Sequence, residues 1–412
     1  MASNTKRVPI PKNGVDYRGK IVLAPMVRSG ELPSRLLALK YGADLVWGPE
    51  TVDKSMIGTT KTLNPITSTI DFTRFPSNPQ RSQPPVRKEN LIYRLHPTRE
   101  HRKLIFQIGT ASPTTAVEAA KLVAENVAGI DVNAGCPKPF STTGGMGAAL
   151  LQDPDRLASI LTALVEEVGK VYEIGISVKI RLLETPEKTE ALVRKLCSTG
   201  ITGLTIHCRT TPMRPRERAI RDQLRMIADV CREAGVACLM NGDVKNRDEA
   251  LQLVQEYGVD GAMIATAAEA NSSCFRTEAE GGLLPWKDVV TEYMKIALEV
   301  DNKWGNTKFL LAQLMPGKSE AFRKVTGCQG YRQVCEVLDL HHLLNLAAQV
   351  DERLGIDESK KTTAMKKAKH QNKSAQAAGG HLSSPRSLGA DKRNPLSERG
   401  VGTGRVLHAM AV

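Results

Sequence analysis

An α/β fold is predicted for this chain: a (β/α)8 TIM barrel, followed by a small C-terminal helical bundle and a disordered basic tail. Eight short apolar, β-branched runs recur through the first two thirds of the 412 residues, and helical patterns separate most of them. Polar residues follow these runs, and the carboxyl ends of barrel strands are where such folds carry their sites. From Pro285 onward the strand pattern stops and helical periodicity continues, which predicts the bundle.

The predicted elements are short and alternate regularly. The strands are Ile21–Ala24, Leu45–Trp47, Leu104–Ile108, Ile130–Val132, Ile176–Ile180, Leu204–Ile206, Ala237–Met240 and Ala262–Ile264. The helices between them are Pro33–Lys40, Ala116–Asn126, Asp155–Val168, Pro186–Leu196, Arg221–Glu233 and Arg247–Glu256. The bundle helices are Trp286–Trp304, Thr307–Leu314, Gly317–Val325 and Tyr331–Leu338. This order assigns residues 1–284 to the barrel and 285–354 to the helical domain.

A doubly wound parallel sheet is the alternative architecture for such alternation. A dinucleotide-binding sheet of that type carries G-x-G-x-x-G directly after its first strand. The nearest match in this chain, Gly145-Met146-Gly147, comes after Cys136 and lacks the third glycine. The barrel is therefore the favoured prediction.

The net charge of +13 is concentrated in two segments. Residues 54–103, inserted between the second and third strands, carry +7, and the tail at 355–412 carries another +7, which leaves −1 for the remainder. The tail is rich in Lys, Gly, Ser and Pro and cannot bury a core, so we expect it to be disordered. The simpler interpretation of its charge is that it keeps a disordered, solvated segment soluble and does not bind a partner.

The insertion at 54–103 interleaves basic and aromatic residues. The basic residues are Arg74, Arg81, Arg87, Lys88, Arg94 and Arg99, and the others are Phe72, Phe75, Tyr93 and His96. This mixture suits a polyanion with exposed bases. The helical domain offers a second candidate basic face, made of Lys308, Lys318, Arg323, Lys324 and Arg332. For each of these five residues alone, an ordinary solvated helix surface is the favoured interpretation.

Cysteine usage and hydropathy exclude several classes of protein. The eight cysteines include no C-x-x-C pair, which argues against a zinc ribbon or an iron–sulfur cluster, and scattered thiols are typical of a reducing compartment. No stretch is apolar for long enough to cross a bilayer, and the first residues lack the apolar segment of a secretory signal. We expect a protein without a metal or a membrane segment, located in the cytoplasm, with the nucleus as a second compartment.

One cysteine follows the fourth predicted strand in an unusual setting. The apolar strand runs into Asn133, Gly135 turns the chain, and Pro137 prevents the chain from winding on after Cys136. A thiol used as an acid or a nucleophile needs such a rigid, partly open position, whereas a buried core cysteine does not. Cys136 is therefore the candidate catalytic residue, and the neighbouring amide of Asn133 is a candidate for holding a ring.

Polar residues at the carboxyl ends of barrel strands gather at one end of the fold. In strand order these ends carry Pro25-Met26-Val27, Glu50, Gln107, Asn133 with Cys136, Lys179 with Arg181, His207, Asn241-Gly242-Asp243 and Ala265-Thr266. Alternation along the fifth strand directs Lys179 and Arg181 inward, and two inward cations indicate that an anion or a cofactor meets them. Alone, His207 is more often a core histidine, so the site is inferred from the whole set.

A cofactor with a phosphate and a planar ring fits this set. The loops after the seventh and eighth strands are the usual phosphate site of such barrels. Here they are Asn241-Gly242-Asp243 and Ala265-Thr266-Ala267-Ala268, whose small residues let backbone N–H groups approach an anion. Lys179 suits the electron-rich pyrimidine edge of a flavin, where negative charge develops on reduction.

The chain resembles the dihydrouridine synthases, flavoenzymes that reduce a uridine base in transfer RNA. The matching blocks are Leu23-Ala24-Pro25-Met26-Val27, Asn133-Ala134-Gly135-Cys136-Pro137, Lys179-Ile180-Arg181, Ile206-His207-Cys208-Arg209, Asn241-Gly242-Asp243 and Met263-Ile264-Ala265. They occur in the family's order and cover roughly the first two thirds of the chain. The segments 27–33 and 140–147 look most like the eukaryotic branch that acts at position 20 of the D-loop.

The resemblance implies FMN as the cofactor, NADPH or NADH as the reductant, and tRNA as the partner. It places FMN against Pro25, Met26, Val27, Gln107, Lys179, His207, Asn241, Gly242, Asp243, Ala265 and Thr266. It implies that Asn133 and Arg181 hold the flipped uracil. Hydride from flavin N5 to C6 of uracil leaves an enolate-like C5, and Cys136 would give C5 its proton from the opposite face. On this basis the helical domain at 285–354, the insertion and the tail bind RNA.

Two departures from the family pattern stand out. Thr266 replaces the arginine that usually grips the FMN phosphate, which removes one charge from the predicted cofactor site. The chain also shows no double-stranded-RNA module after the helical domain. Two rival functions remain: a flavin-dependent barrel oxidoreductase acting on a small pyrimidine, of the dihydroorotate or dihydropyrimidine dehydrogenase type, and an RNA-binding barrel without catalysis. The two basic segments argue against the first rival, and the intact Cys136 and Lys179 argue against the second.

Overall fold

The computed structural model describes residues 7–75, 89–317 and 319–356. Its strands are β1 Lys20–Leu23, β2 Leu45–Trp47, β3 Thr51–Val52, β4 Thr60–Asn64, β5 Thr69–Arg74, β6 Asn90–Leu95, β7 Leu104–Gly109, β8 Gly129–Ala134, β9 Gly175–Leu182, β10 Gly203–Thr210, β11 Ala237–Asn241 and β12 Gly261–Ile264. Its α-helices are α1 Leu32–Lys40, α2 Asp53–Met56, α3 Pro113–Val123, α4 Pro139–Thr142, α5 Pro154–Leu164, α6 Lys170–Tyr172, α7 Pro186–Cys197, α8 Leu224–Ala234, α9 Arg247–Tyr257, α10 Thr266–Ala270, α11 Trp286–Glu299, α12 Trp304–Leu314, α13 Glu320–Gly327, α14 Tyr331–Val337 and α15 Leu344–Leu354.

Eight parallel strands form a closed barrel, which confirms the predicted fold class. Their order is β2-β1-β12-β11-β10-β9-β8-β7, and pairing between β2 and β7 closes the ring. The short β3 continues from β2 and also pairs with β7. Each predicted strand coincides with one barrel strand, because a strand buried on both faces reads as a continuous apolar run bounded by turns. All carboxyl ends therefore meet at one mouth of the barrel.

The helices around the barrel begin and end at recognisable residues. Proline occupies the first turn of α3, α5 and α7, where its missing N–H costs no hydrogen bond. The side chains of Asp153, Thr185 and Asn246 accept hydrogen bonds from backbone N–H groups in the first turns of α5, α7 and α9. Gly235 and Gly258 end α8 and α9 with left-handed φ angles of 79° and 69°. These signals explain why the predicted helices match within a few residues.

The described part of the insertion is a small antiparallel sheet of β4, β5 and β6. Phe72 and Tyr93 are buried, and Tyr93 meets Phe106 of barrel strand β7 edge to face at 4.9 Å. The interpretation of the insertion as a mixture suited to a polyanion with exposed bases therefore does not hold for these two aromatics, which belong to the core. Alternation along the strands turns them toward the barrel, where burying two rings stabilises the fold more than exposing them.

The basic residues of the described insertion make contacts within the protein. Arg94 forms a bidentate ion pair with Asp71 (2.6 and 2.5 Å) and donates to the backbone carbonyl of Val300. Arg74 donates to the carbonyl of Lys54 at 2.7 Å, and Arg99 pairs with Glu299 at 3.1 Å. Arg74 and Arg94 are therefore engaged within the protein, whereas Arg99 is exposed in a surface ion pair, and nucleic-acid binding by the insertion stays a prediction. Arg81, Arg87 and Lys88 lie outside the described residues.

The helices after the barrel pack on α1. Leu32, Leu36 and Leu37 of α1 share one hydrophobic cluster with residues of α11 to α15. The sequence predicts one long helix over Trp286–Trp304, but α11 ends at Glu299 and α12 begins at Trp304. Asp301 between them has a left-handed φ of 44°, and its carboxylate accepts two hydrogen bonds from Arg353 of α15, at 2.9 and 2.7 Å. The domain bounds 1–284 and 285–354 stay a prediction, and the predicted tail falls almost entirely beyond residue 356, outside the described residues.

The predicted basic face of the helical domain is largely paired. Lys308 donates to the carbonyl of Cys328 at 2.9 Å, Lys324 pairs with Glu320 at 2.7 Å, and Arg332 pairs with Glu336 at 3.1 Å. The last two pairs join residues four positions apart, one pair on α13 and one on α14, and such exposed pairs stabilise a helix only slightly. Lys318 lies outside the described residues. The simpler interpretation, a solvated helix surface, therefore accounts for these residues.

Candidate active site at the mouth of the barrel

Strand register brings the predicted site residues to matching heights. Asn133 of β8 pairs with Lys179 of β9, and Arg181 pairs with His207 of β10. His207 in turn pairs with Asn241 of β11. Below this level, Gln107 of β7 pairs with Asp131. Side chains predicted separately from five strand ends thus surround one mouth.

Cys136 stands in a loop fixed by hydrogen bonds to its backbone. Asn133 Oδ1 accepts from the N–H groups of Gly135 (3.0 Å) and Cys136 (3.1 Å), and Arg181 Nε donates to the Gly135 carbonyl at 2.7 Å. All eight cysteines lie in the described residues, and Cys136 is half-buried whereas the other seven are buried. Burial raises the pKa of the Cys136 thiol. The loop therefore presents a protonated, accessible thiol, as an acid requires.

Lys179 is an unpaired cation in the barrel mouth. Its ammonium makes no hydrogen bond or ion pair within the described ranges. Burial, and then the charge of Arg181, lower the pKa of Lys179 to about 8. Asp131 lies below it and accepts from Gln107 Nε2 (2.8 Å) and Ser177 Oγ (2.7 Å), and burial raises the pKa of Asp131 to about 6. An anionic or electron-rich group in the mouth would complete the environment of Lys179.

His207 is neutral and has a defined tautomer. Burial, followed by the charges of Lys179 and Arg181, lowers the pKa of His207 to about 2. Arg209 Nη1 lies 3.2 Å from His207 Nε2. Because an arginine can only donate, Nε2 is assigned as the acceptor and the ring proton is placed on Nδ1. His207 is thus a hydrogen-bond donor through Nδ1, with no charge.

A cavity of about 420 Å³ opens beside these residues. Its lining includes Arg181, His207, Arg209, Asn241, Gly242, Asp243, Ala265 and Thr266. Gly242 has a left-handed φ of 125°, and a Cβ there would come within 3.2 Å of the Ala219 methyl group. Burial alone would raise the pKa of Asp243, but hydrogen bonds from Arg209 (2.5 Å) and the Ala219 N–H (2.7 Å) lower it overall. This is the predicted phosphate region, with Arg209 as its buried cation.

Other predicted cofactor residues lie at the same mouth but do not line this cavity. Pro25, Met26 and Val27 form the loop after β1, whose last residue pairs with the last residue of β12. The loop continues into Arg28, which has a left-handed φ of 71° and lies over the ring of Phe309 at 4.4 Å. Gln107 and Lys179 lie deeper, toward the barrel axis. The predicted set is therefore spread over the mouth and not confined to one pocket.

Sequence reasoning assigned no role to several residues that the structure places in the site. Arg209 and Asp131 occupy strand positions two residues from His207 and Asn133, so period-2 alternation was a signal for both. The loop between β10 and α8, here called the basic loop (residues 211–223), exposes Arg214, Arg216 and Arg218. It is tied to the phosphate region by the Ala219–Asp243 hydrogen bond described above and by Arg221, which donates to the Asp243 carbonyl at 2.9 Å. Its clustered arginines were visible in the sequence.

Metal clusters and membrane-spanning helices are both absent from the described residues. Within them, no group of three or more His, Cys, Asp or Glu side chains is arranged to hold a metal ion. Among the helices of residues 7–75, 89–317 and 319–356, none combines the length and apolar character that crossing a bilayer requires.

The fold and the site together define a barrel protein with a cofactor-sized cavity, an unpaired lysine and one accessible thiol at its mouth. The chain belongs to the dihydrouridine synthase family, whose model matches residues 22–338. The resemblance inferred from the sequence blocks is thereby confirmed.

Two of the individual relatives belong to the branch predicted from the sequence, which acts at position 20. The tRNA-dihydrouridine(20) synthase [NAD(P)+] of Schizosaccharomyces pombe is 51% identical over 340 residues, which cover 82% of this chain and 66% of that protein. The enzyme of the same name from Saccharomyces cerevisiae is 45% identical over 330 residues, covering 79% and 84%. The tRNA-dihydrouridine(20a/20b) synthase [NAD(P)+] of Saccharomyces cerevisiae is 27% identical over 293 residues, covering 71% and 69%. This chain spans slightly less than two thirds of the length of the first of these relatives.

Proposed function

We propose that this protein is a tRNA-dihydrouridine synthase that reduces the C5–C6 bond of uridine 20 in the tRNA D-loop, with FMN as cofactor and NADPH as reductant. The observation that carries the proposal is the presence, at one barrel mouth, of the accessible Cys136 thiol and the unpaired Lys179 ammonium. The names of the two relatives at 45–51% identity support both the position and the use of NAD(P)+.

The residues of the mouth fit a flavin mononucleotide. The cavity beside Gly242, Asp243, Ala265 and Thr266 provides a phosphate region, where the Thr266 hydroxyl and backbone N–H groups would hold the phosphate in place of the arginine that Thr266 replaces. Lys179 and the His207 Nδ1–H group supply a cation and a neutral donor for the ring. When bound, the flavin supplies the hydride that reaches C6 of the uracil.

The chain's own residues account for the rest of the chemistry. Cys136 donates the thiol proton to C5, so the S–H bond breaks and a C–H bond forms. Asn133 uses Oδ1 to hold the Cys136 loop, and its amide, which also lies near Glu50, has a second N–H group to donate to a uracil carbonyl. Arg181 uses Nε and Nη1 on the carbonyls of Gly135 and Thr210, so Nη2 is the donor left for substrate. Both residues therefore align the thiol as well as the base.

The test of this function uses the full chain, FMN, NADPH and a tRNA transcript lacking modifications. We expect dihydrouridine at position 20, read by mass spectrometry of nuclease digests. Reduction of free uracil or a related small pyrimidine, with the tRNA left unchanged, would instead support the small-molecule oxidoreductase. Purified protein without a flavin spectrum, and unable to acquire one, would contradict both.

Cofactor binding is expected to depend on pH through Lys179. The ammonium is present below its pKa of about 8 and is lost as pH rises through that value, so affinity of the cofactor-free protein for FMN should fall above pH 8. Lys179→Met should bind FMN more weakly at pH 7 and lose this decline. Flavin fluorescence quenching measures both.

A control for this titration is Lys170→Met, which removes an exposed lysine paired with Glu166 on an outer helix. It should retain the wild-type pH dependence. A decline of equal size in Lys179→Met would assign the titration to another group.

RNA affinity is expected to reside in the basic loop. Replacing Arg214, Arg216 and Arg218 by glutamine should flatten the slope of log K against log salt, by about 0.7–0.9 for each phosphate that is no longer neutralised. The reason is that these exposed side chains lie on a loop tied to the mouth, whereas Arg74 and Arg94 are held by contacts within the protein. Filter binding of tRNA between low and moderate salt measures the slope.

A matched control removes three lysines at the opposite end of the barrel. Lys12, Lys20 and Lys103 lie near the starts of β9, β1 and β7, and their replacement by glutamine removes the same total charge. If this control flattened the slope as much as the basic-loop variant, the binding would depend on overall charge and not on the loop.

A further inference from the structure

Glu50 is a half-buried acid at the barrel mouth for which the chemistry proposed above has no use. It follows β2, on the opposite side of β7 from the Cys136 loop. Its Oε2 atom is buried and has no hydrogen-bond partner among the described residues. An unpartnered buried carboxylate oxygen costs free energy, so its retention at this place calls for a function.

The carboxylate is fitted closely to the segment that carries Cys136. Ser141 Oγ, in the short helix that follows Cys136, donates to Glu50 Oε1 at 2.9 Å. On the other side, Gly109 of β7 packs so closely that a Cβ there would displace the Glu50 carboxylate from this position. Gly147 has a left-handed φ of 57°, and its lack of a side chain allows the backbone to pack closely against the Ser141 hydroxyl and the Cys136 carbonyl. Glu50 thus lies between β7 and the short helix that follows Cys136.

Glu50 acts electrostatically on the thiol. The Cys136 thiol and the Asn133 amide lie close enough to favour the ionised form of Glu50, although burial raises the pKa of this carboxyl. For Cys136, burial has the largest effect and raises the thiol pKa, and the charge of Glu50 raises it further. Two cations, Lys138 in the same loop and Arg181 of β9, act in the opposite direction and lower the thiol pKa. Lys179 also interacts with the thiol. Glu50 therefore offsets a local excess of positive charge.

We propose that Glu50 is a positioning residue for Cys136, which holds the thiol loop through Ser141 and keeps the thiol protonated in a mouth lined by cations. The need for a protonated thiol follows from the proposed function, on which this part of the proposal rests; the contacts of Glu50 do not depend on it. A thiol among the cations of Lys138, Lys179 and Arg181 would otherwise ionise more readily, and a thiolate has no proton to give to C5. No redox step and no further reactant is involved.

The test measures the rate at which iodoacetamide alkylates Cys136 as a function of pH, and mass spectrometry quantifies the modified peptide. Glu50→Gln keeps the shape and an oxygen that can accept from Ser141, but removes the charge. We expect the midpoint of thiol ionisation to fall by about one pH unit, so that alkylation near neutral pH is about tenfold faster. A loop that is merely loosened would react faster at every pH, with its midpoint unchanged.

The matched control is Glu31→Gln, a half-buried acid at the same end that accepts from Asn306 and whose charged neighbours, Arg35, Arg94 and Lys303, all lie outside the Cys136 loop. It should keep the wild-type midpoint. An unchanged midpoint in a folded Glu50→Gln protein overturns the proposal. If that variant does not fold, Ser141→Ala provides the test, because losing the Ser141 hydrogen bond favours the neutral form of the Glu50 carboxyl. A smaller downward shift of the Cys136 midpoint then supports the proposal, and no shift overturns it.

These readouts separate the inference from the proposed function. Alkylation needs neither flavin nor tRNA, so a shifted midpoint in a protein without synthase activity would support the role of Glu50 while contradicting the function. In an active protein, the alkaline limb of dihydrouridine formation should move to lower pH in Glu50→Gln by the same amount as the alkylation midpoint.

Discussion

Cys136→Ala is expected to lower dihydrouridine formation by about 10²–10⁴-fold, the usual contribution of a general acid. The methyl group of alanine cannot give C5 a proton, whereas the loop held by Asn133 and Arg181 stays in place. Oxidation of NADPH by the flavin should stay near the wild-type rate, because that half-reaction does not use the thiol. Single-turnover assays with pre-reduced protein isolate the affected step.

The control for this substitution is Cys335→Ala, which removes a thiol buried among the helices that follow the barrel. It should retain activity. Dihydrouridine formation by Cys136→Ala at the wild-type rate would remove Cys136 from the chemistry, whereas loss of NADPH oxidation as well would indicate damage to flavin binding.

Arg35→Met is expected to destabilise the protein by about 3–5 kcal/mol, the cost of leaving one partner of a buried ion pair uncompensated. Arg35 and Glu100 are both fully buried and joined by two hydrogen bonds, at 2.6 and 3.1 Å. The guanidinium also donates to the carbonyls of Gly30 (3.0 Å) and Arg94 (2.9 Å). It therefore connects α1, the loop after β1 and strand β6 of the insertion, and urea unfolding measures its loss.

A surface pair provides the comparison. Arg194 pairs with Glu190 and Glu233 at 2.9 and 2.8 Å, but its side chain is half exposed. Arg194→Met should destabilise the protein far less than Arg35→Met, because water and salt already screen that pair. Similar costs for the two variants would mean that Glu100 finds water or another donor when Arg35 is absent.

Much of the fold could be predicted because its signals are local. Eight apolar runs and the proline and glycine boundaries of the helices lie within short windows, so the barrel and most elements could be located. The break at Asp301 between α11 and α12 was missed, since a left-handed residue stabilised by the distant Arg353 leaves no mark on the helical period. The insertion was wrongly predicted for a similar reason: composition does not tell which face of a strand Phe72 and Tyr93 occupy.

By itself, the sequence determined the fold class and the residues that barrel strands deliver to one mouth, including the rigid loop of Cys136. Tertiary structure decided which of those groups are free to act. It assigned Arg94 to Asp71 and left Lys179 unpaired among the described residues, and it brought Glu50 to Ser141 of the thiol loop, 91 positions away in the chain. The physical reason is that hydrogen bonding, desolvation and charge act over a few ångströms in space, and strand register sets those distances between residues far apart in sequence.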